Sequence, residues 1–126
     1  MQTAFLVFLG GGVGSVLRWL TGLAASRLFG TGFPLGTLAV NLLGCFAMGV
    51  FARILLSPDA GGGHARVLLM TGLLGGYTTF SAFALDTANL WMRDATGLAL
   101  IYIGLTMVGS LGAVALGLWL GAGWTR

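Results

Sequence analysis

Residues 75–83 read GGYTTFSAF. Two glycines, a tyrosine, two threonines, a serine and two phenylalanines stand in the middle of a long apolar run. How this stretch is read decides the fold. The chain has 126 residues, of which 57% are hydrophobic and 7% charged, so the bilayer is the expected solvent. In a bilayer every backbone polar group needs a partner, and a glycine-broken, hydroxyl-rich stretch at that depth calls for an explanation.

Working outward, the few charged residues act as punctuation. They are Arg18, Arg27, Arg53, Asp59, Arg66, Asp86, Arg93, Asp94 and Arg126, with no lysine. Between them four apolar spans are expected, at about Phe5–Leu28, Leu35–Leu56, Val67–Trp91 and Leu98–Leu120. The connections are GTGFP, with Pro34 at a helix start, then SPDAGGGHAR and RDATG. Each span takes about 20 residues, so four leave no room for a soluble domain, and residues 1–126 are expected to form one transmembrane domain. The expected class is an all-α membrane protein.

A cleaved signal is disfavoured, because residues 1–17 carry no Lys or Arg. Cys45 is the single cysteine, which excludes an intrachain disulfide and thiolate metal clusters; it reads as a small apolar side chain. His64, alone in a glycine-rich loop, reads as solvated. The net charge of +3 does not indicate nucleic-acid binding, since the arginines are scattered singly at span ends, where they can meet lipid headgroups.

Four spans put both termini and the 57–66 loop on one side, with Arg53, Arg66 and Arg126. The other side has Arg27 and Arg93, with Arg18 nearer to it. The Lys/Arg excess that normally sets orientation is nearly absent. Either another feature sets orientation, or the chain inserts both ways, which would allow an antiparallel two-fold dimer.

Glycine is 23 of the residues, and Gly10/Gly14, Gly72/Gly76 and the series Gly109, Ala113, Gly117, Gly121 have the spacing of close helix packing. Against that background the polar groups inside spans are the site candidates. Asn41 lies in the second span and Arg18 in the first. Tyr102, Thr106 and Ser110, four apart, share one face of the fourth. Phe80 and Phe83 share a face of the third, and Thr79 and Ser81 flank Phe80. Each alone reads as ordinary packing or as a hydroxyl bonded to its own backbone. Together they offer amide and hydroxyl donors and positive ring edges without a line of carboxylates, chemistry that suits a small anion. Asp86 is the only acid within a span, near its end.

Three segments, GGGVGSVLRW, PLGTLAVNLLGCFAMG and GLLGGYTTFSAF, together resemble the Fluc or CrcB-type fluoride channels in order and spacing over nearly the whole chain. The resemblance implies four-span subunits in an antiparallel, dual-topology homodimer with two fluoride pores, in the cell membrane. It implies a third helix broken at mid-membrane, here at Gly75, Gly76, Tyr77 and Thr78, with the Gly75 and Thr78 carbonyls of both subunits holding a structural Na+. It implies Asn41, Phe80, Phe83, Thr79, Ser81, Tyr102, Thr106 and Ser110 as the fluoride pathway, Thr106 departing from relatives with serine while keeping the hydroxyl. Arg18 would stand near a vestibule. Export would be passive, with no phosphate-binding loop, since GGGVGS lacks the Gly-Lys-Ser/Thr ending. Two rivals make different demands. A small proton-coupled multidrug exporter would need a central acid, with Asp86 the one candidate. A non-transporting assembly subunit would tolerate free replacement of Asn41 and the Phe pair.

Overall fold

The structure, a computed structural model, describes residues 1–56 and 62–123. Asp59 and Arg126, used above in the charge reading, lie outside the described residues. The described residues are helical throughout apart from short connections: α1 Gln2–Phe29, α2 Leu35–Leu55, α3 Gly63–Arg66, a π-helical stretch Val67–Leu74, α4 Gly75–Tyr77, α5 Phe80–Met92 and α6 Thr96–Ala122. From α3 to α5 these form one span, Gly63–Met92, so four helical spans are long and apolar enough to cross a membrane. They extend the expected boundaries by a few residues at several ends, because helix lengths that overshoot a hydrocarbon core of about 30 Å are accommodated in the interface.

Local chemistry ends the helices. α1 stops at Gly30, whose φ of 77° only glycine adopts freely, and the Gly30 N–H still bonds the Ser26 carbonyl at 3.0 Å. Pro34 precedes α2 as its N-cap, and its carbonyl accepts the first turn's bond from Leu38 N–H at 3.2 Å. α5 ends with Asp94 in the left-handed region at φ 56°. The Asp94 N–H bonds the Trp91 carbonyl at 3.1 Å and the Ala95 N–H the Leu90 carbonyl at 3.0 Å, the paired pattern of a Schellman cap.

α1 packs along the π-helical stretch and α4, and α2 packs along α6. The glycine pattern is accounted for within the subunit. A Cβ on Gly76 would overlap the Gly11 carbonyl, and one on Gly14 would overlap the Leu73 carbonyl. A Cβ on Gly49 would come within 3.1 Å of Gly117 Cα, so α2 and α6 meet backbone to backbone. Contacts of Leu42 with Gly109, Gly49 with Gly117, and Arg53 with Gly121 advance along both helices together, so α2 and α6 run parallel. The buried cluster Leu38, Phe83, Leu90, Ala99 and Tyr102 fills the end of the bundle where α2 and α6 begin.

One expectation is corrected. The third span is broken, but at Thr78–Thr79, which shares only Thr78 with the expected Gly75–Thr78. Gly75 is helical (φ −63°, ψ −36°), and Gly75–Tyr77 is α4. The chain leaves the helix at Thr78 (ψ 156°) and stays extended at Thr79 (φ −155°, ψ 118°). Both torsions suit β-branched residues. The interruption is therefore made by threonines in extended conformation, while Gly76 serves helix contact.

Candidate functional site

The break is held by a side chain from another span. Asn41, on α2 and 8% exposed, donates from Nδ2 to the Thr79 carbonyl at 3.1 Å and accepts the Thr79 N–H on Oδ1 at 2.9 Å. The amide side chain thus imitates a neighbouring strand and satisfies both backbone groups of one extended residue. In a continuous helix the Thr79 N–H would bond the Gly75 carbonyl. The second Nδ2 proton remains to be donated elsewhere.

Around this clamp the break is tied at each side. Thr78 donates from its hydroxyl to the Leu74 carbonyl at 2.9 Å, and its N–H bonds the same oxygen at 3.0 Å. The Thr79 hydroxyl caps α5 by accepting the Ala82 N–H at 3.2 Å and lies 3.2 Å from the Ser81 hydroxyl. Arg18 reaches over from α1 and donates to the Thr78 carbonyl at 3.4 Å. Arg18 therefore belongs to the break itself. Tyr77 and Thr21 hydroxyls meet at 3.2 Å, joining α4 to α1.

Beside the clamp lies a cavity of about 310 Å³. The structure brings Asn41, Thr79, Phe80, Phe83, Thr106 and Ser110 to its wall, and Thr78 as well. Gly75, Ser81 and Tyr102 are not in that wall. The Phe80 and Phe83 rings are 5.5 Å apart at 57°, and Phe83 is 5.3 Å from the Tyr102 ring, which in turn meets Phe33 edge-on at 5.6 Å. Phe83 is buried and Phe80 is 73% exposed, so within one subunit only part of the aromatic pair is enclosed.

The cavity's most telling groups are two hydroxyls. Thr106, 5% exposed, and the half-buried Ser110 have no hydrogen-bond partner for their side-chain oxygens. Buried hydroxyls are normally paired, and an unpaired one costs about 1–3 kcal/mol. Neither bonds back to its own helix, the bland alternative for membrane Ser and Thr, which Thr21, Ser26 and Thr87 do adopt. Both residues line the cavity, and no protein group engages either oxygen.

A second cavity of about 230 Å³ lies at the α1–α2 connection, with Phe33, Thr37 and Asp86 in its wall. There the sequence reading missed a cluster. Asp86 Oδ2 accepts from Thr37 at 2.6 Å and from Tyr102 at 3.3 Å, linking α2, α5 and α6. Tyr102, expected on the pore track, spends its hydroxyl on this carboxylate. Thr37 was legible in principle, being four residues before Asn41 on the same helix face. In the parallel register of α2 and α6, the polar groups follow one another from the second cavity inward as Thr37 with Tyr102, then Thr106, Asn41 and Ser110.

Known proteins match the sequence that builds this site. The family described as CrcB-like protein, Camphor Resistance (CrcB), matches residues 5–118. A fluoride-specific ion channel FluC of Chelativorans sp. (strain BNC1) is 49% identical over 120 residues, 95% of this chain and 96% of the relative. That of Rhizobium etli (strain CIAT 652) is 50% identical over 118 residues, 94% of each chain. That of Paracoccus denitrificans (strain Pd 1222) is 51% identical over 124 residues, 98% of each.

Proposed function

We infer that this chain, which belongs to the CrcB-like protein family, is a fluoride-specific ion channel and not an enzyme. It is a multi-pass protein of the plasma membrane, built on four apolar helical spans. The observation in the structure that supports this reading best is the cavity with two unpartnered hydroxyls, Thr106 and Ser110, facing the Phe80–Phe83 pair with no acid in its wall. Fluoride is compact and accepts hydrogen bonds strongly, so hydroxyl donors and ring edges replace its water. A membrane potential moves a monovalent anion at about 2.3 kcal/mol per 100 mV, so a passive path suffices for export. A proton-coupled exporter is less well supported, since Asp86 stands outside the cavity wall and is engaged by Thr37 and Tyr102.

The residue roles are part of the proposal. Thr106 and Ser110 donate to the ion, Phe80 and Phe83 present ring edges, and Asn41 offers its second amide proton while it clamps the break. Thr79 and Ser81 support that wall through their shared hydroxyl contact. Tyr102 with Asp86 and Thr37 forms the polar end toward the second cavity. The working unit is an antiparallel homodimer of one transmembrane domain per subunit, supported by the near balance of arginines and by the exposure of Phe80 and Gly75 on a single subunit.

The Na+ implied by the family is consistent with the residues present. Diversion of the Thr79 N–H to Asn41 deprives the Gly75 carbonyl of its helical partner. The Thr78 carbonyl has a lone pair beyond the one Arg18 takes. Gly75 and Thr78 would hold the ion by these carbonyls, and neutral oxygens suit a hard monovalent cation. When bound, it would compensate the carbonyl dipoles freed by the break and tie the two subunits.

The test is fluoride efflux from proteoliposomes made with the purified protein, read with a fluoride electrode, with chloride as the comparison anion. Fast fluoride efflux with little chloride is expected. Efflux no faster than from protein-free liposomes would overturn the reading.

A further inference from the structure

Cys45 stands one helical turn beyond Asn41 on α2 and lies in the wall of the same cavity. Its thiol is free and the residue only partly buried. This differs from the packing role that a lone cysteine in an apolar helix suggests. A second observation bears on the same wall: Thr106, nine-tenths buried, lines the cavity and its side-chain hydroxyl has no hydrogen-bond partner, and the same holds for the hydroxyl of Ser110. In the parallel register of α2 and α6, Cys45 follows Ser110 and ends the polar series that begins at Thr37.

We propose that Cys45 is a modification site in the wall of the ion path, at which small thiol-directed sulfur electrophiles close the channel reversibly. The inference rests on the channel reading above. It adds a chemistry that hydroxyls and phenyl rings cannot supply. With methyl methanethiosulfonate, the Cys45 sulfur attacks the reagent's sulfenyl sulfur. The reagent's S–S bond breaks, a new S–S bond forms between Cys45 and the methylthio group, and methanesulfinate leaves as the thiol proton passes to water. The added group occupies the cavity at the level next to Ser110 and blocks access to its hydroxyl. A dithiol reductant reverses the step by thiol–disulfide exchange.

The chain carries no other cysteine, so the unmodified protein is its own probe. Proteoliposomes are treated with methyl methanethiosulfonate, adducts are counted by intact mass, and fluoride efflux is measured before treatment, after it, and after reduction. One adduct per chain is expected, with efflux lowered by about tenfold or more, as a narrowed pore requires, and restored by the reductant. Saturating fluoride should slow the labelling. Cys45→Ser should conduct and be insensitive to the reagent. A full adduct with unchanged efflux would overturn the proposal. So would the absence of an adduct in the bilayer when the detergent-unfolded chain labels fully. If the untreated protein carries no fluoride, the channel reading fails, whereas the labelling rates with and without fluoride still decide whether Cys45 shares a cavity with the anion.

Discussion

On the proposed channel reading Asn41 has two separable jobs, clamping the break and facing the ion, and two substitutions at that position pull them apart. Asn41→Ala removes both bonds to Thr79, at 3.1 and 2.9 Å, and leaves an amide N–H and a carbonyl without partners in the middle of the bundle. Each such group costs about 1–3 kcal/mol, and water from the adjoining cavity relieves part of it, so a loss of about 2–3 kcal/mol is expected. The same change removes only one donor from the ion's surroundings. Asn41→Asp is nearly isosteric but brings a negative charge to the cavity wall. A fluoride about 4 Å from that carboxylate is repelled by about 4 kcal/mol at an effective dielectric constant near 20, or about three powers of ten in rate. Stability is read by denaturant titration in mixed micelles, followed by tryptophan fluorescence, and flux by fluoride efflux normalised to folded protein. Asn41→Ala should be the variant that is unstable but conducts measurably, and Asn41→Asp the one that is silent even when folded. Wild-type stability in Asn41→Ala would show that the break holds itself open. Wild-type flux in Asn41→Asp would show that the anion never approaches this residue.

The other expectations are independent of that pair. Gly76→Ala drives a Cβ into the Gly11 backbone and should destabilise by about 1–3 kcal/mol, whereas Gly75→Ala meets nothing nearer than the Met70 carbonyl at 3.8 Å and should cost the subunit less than about 0.5 kcal/mol; equal losses in the same titration would refute the packing argument. Phe80→Ile keeps apolar bulk but removes the ring edge, and efflux should fall by about tenfold with the fold retained; unchanged efflux would remove Phe80 from the path. Asp94→Gly relieves a left-handed non-glycine residue and removes an acid from a helix C-terminus, so the protein should gain about 0.5–1 kcal/mol, and a loss would mean that the carboxylate makes a contact worth more than the strain. A C-terminal tag should be reached from both sides of the membrane in comparable amounts, and added arginines in the 57–66 loop should fix one orientation and abolish efflux; full efflux from a single orientation would rule out the antiparallel dimer.

What the sequence disclosed and what it withheld divide along one physical line. Solvent, span number, helix ends and glycine contacts depend on local composition and on periodicity, and these are written in consecutive residues. The Pro34 start and the Gly72/Gly76 face were legible for that reason. The break was legible as an event and misplaced as a position. Glycines at 75 and 76 suggested flexibility, but a helix tolerates glycine when a neighbour packs closely against it, and Gly76 has such a neighbour in Gly11. What opens the helix is an acceptor and donor supplied by Asn41, 38 positions away along the chain. No local pattern marks a side chain that will stand in for a strand. The same holds for Asp86, whose meaning lies in Thr37 and Tyr102 from two other helices, and for Cys45, which read as apolar filler because composition cannot say which face looks into a cavity. The polar residues of this chain therefore sort by partner more than by type. Asn41, Thr79, Tyr102 and Asp86 are committed to one another or to backbone, and Thr106 and Ser110 are not. Both line the cavity, and on the channel reading it is these two uncommitted hydroxyls that are left to donate to the ion.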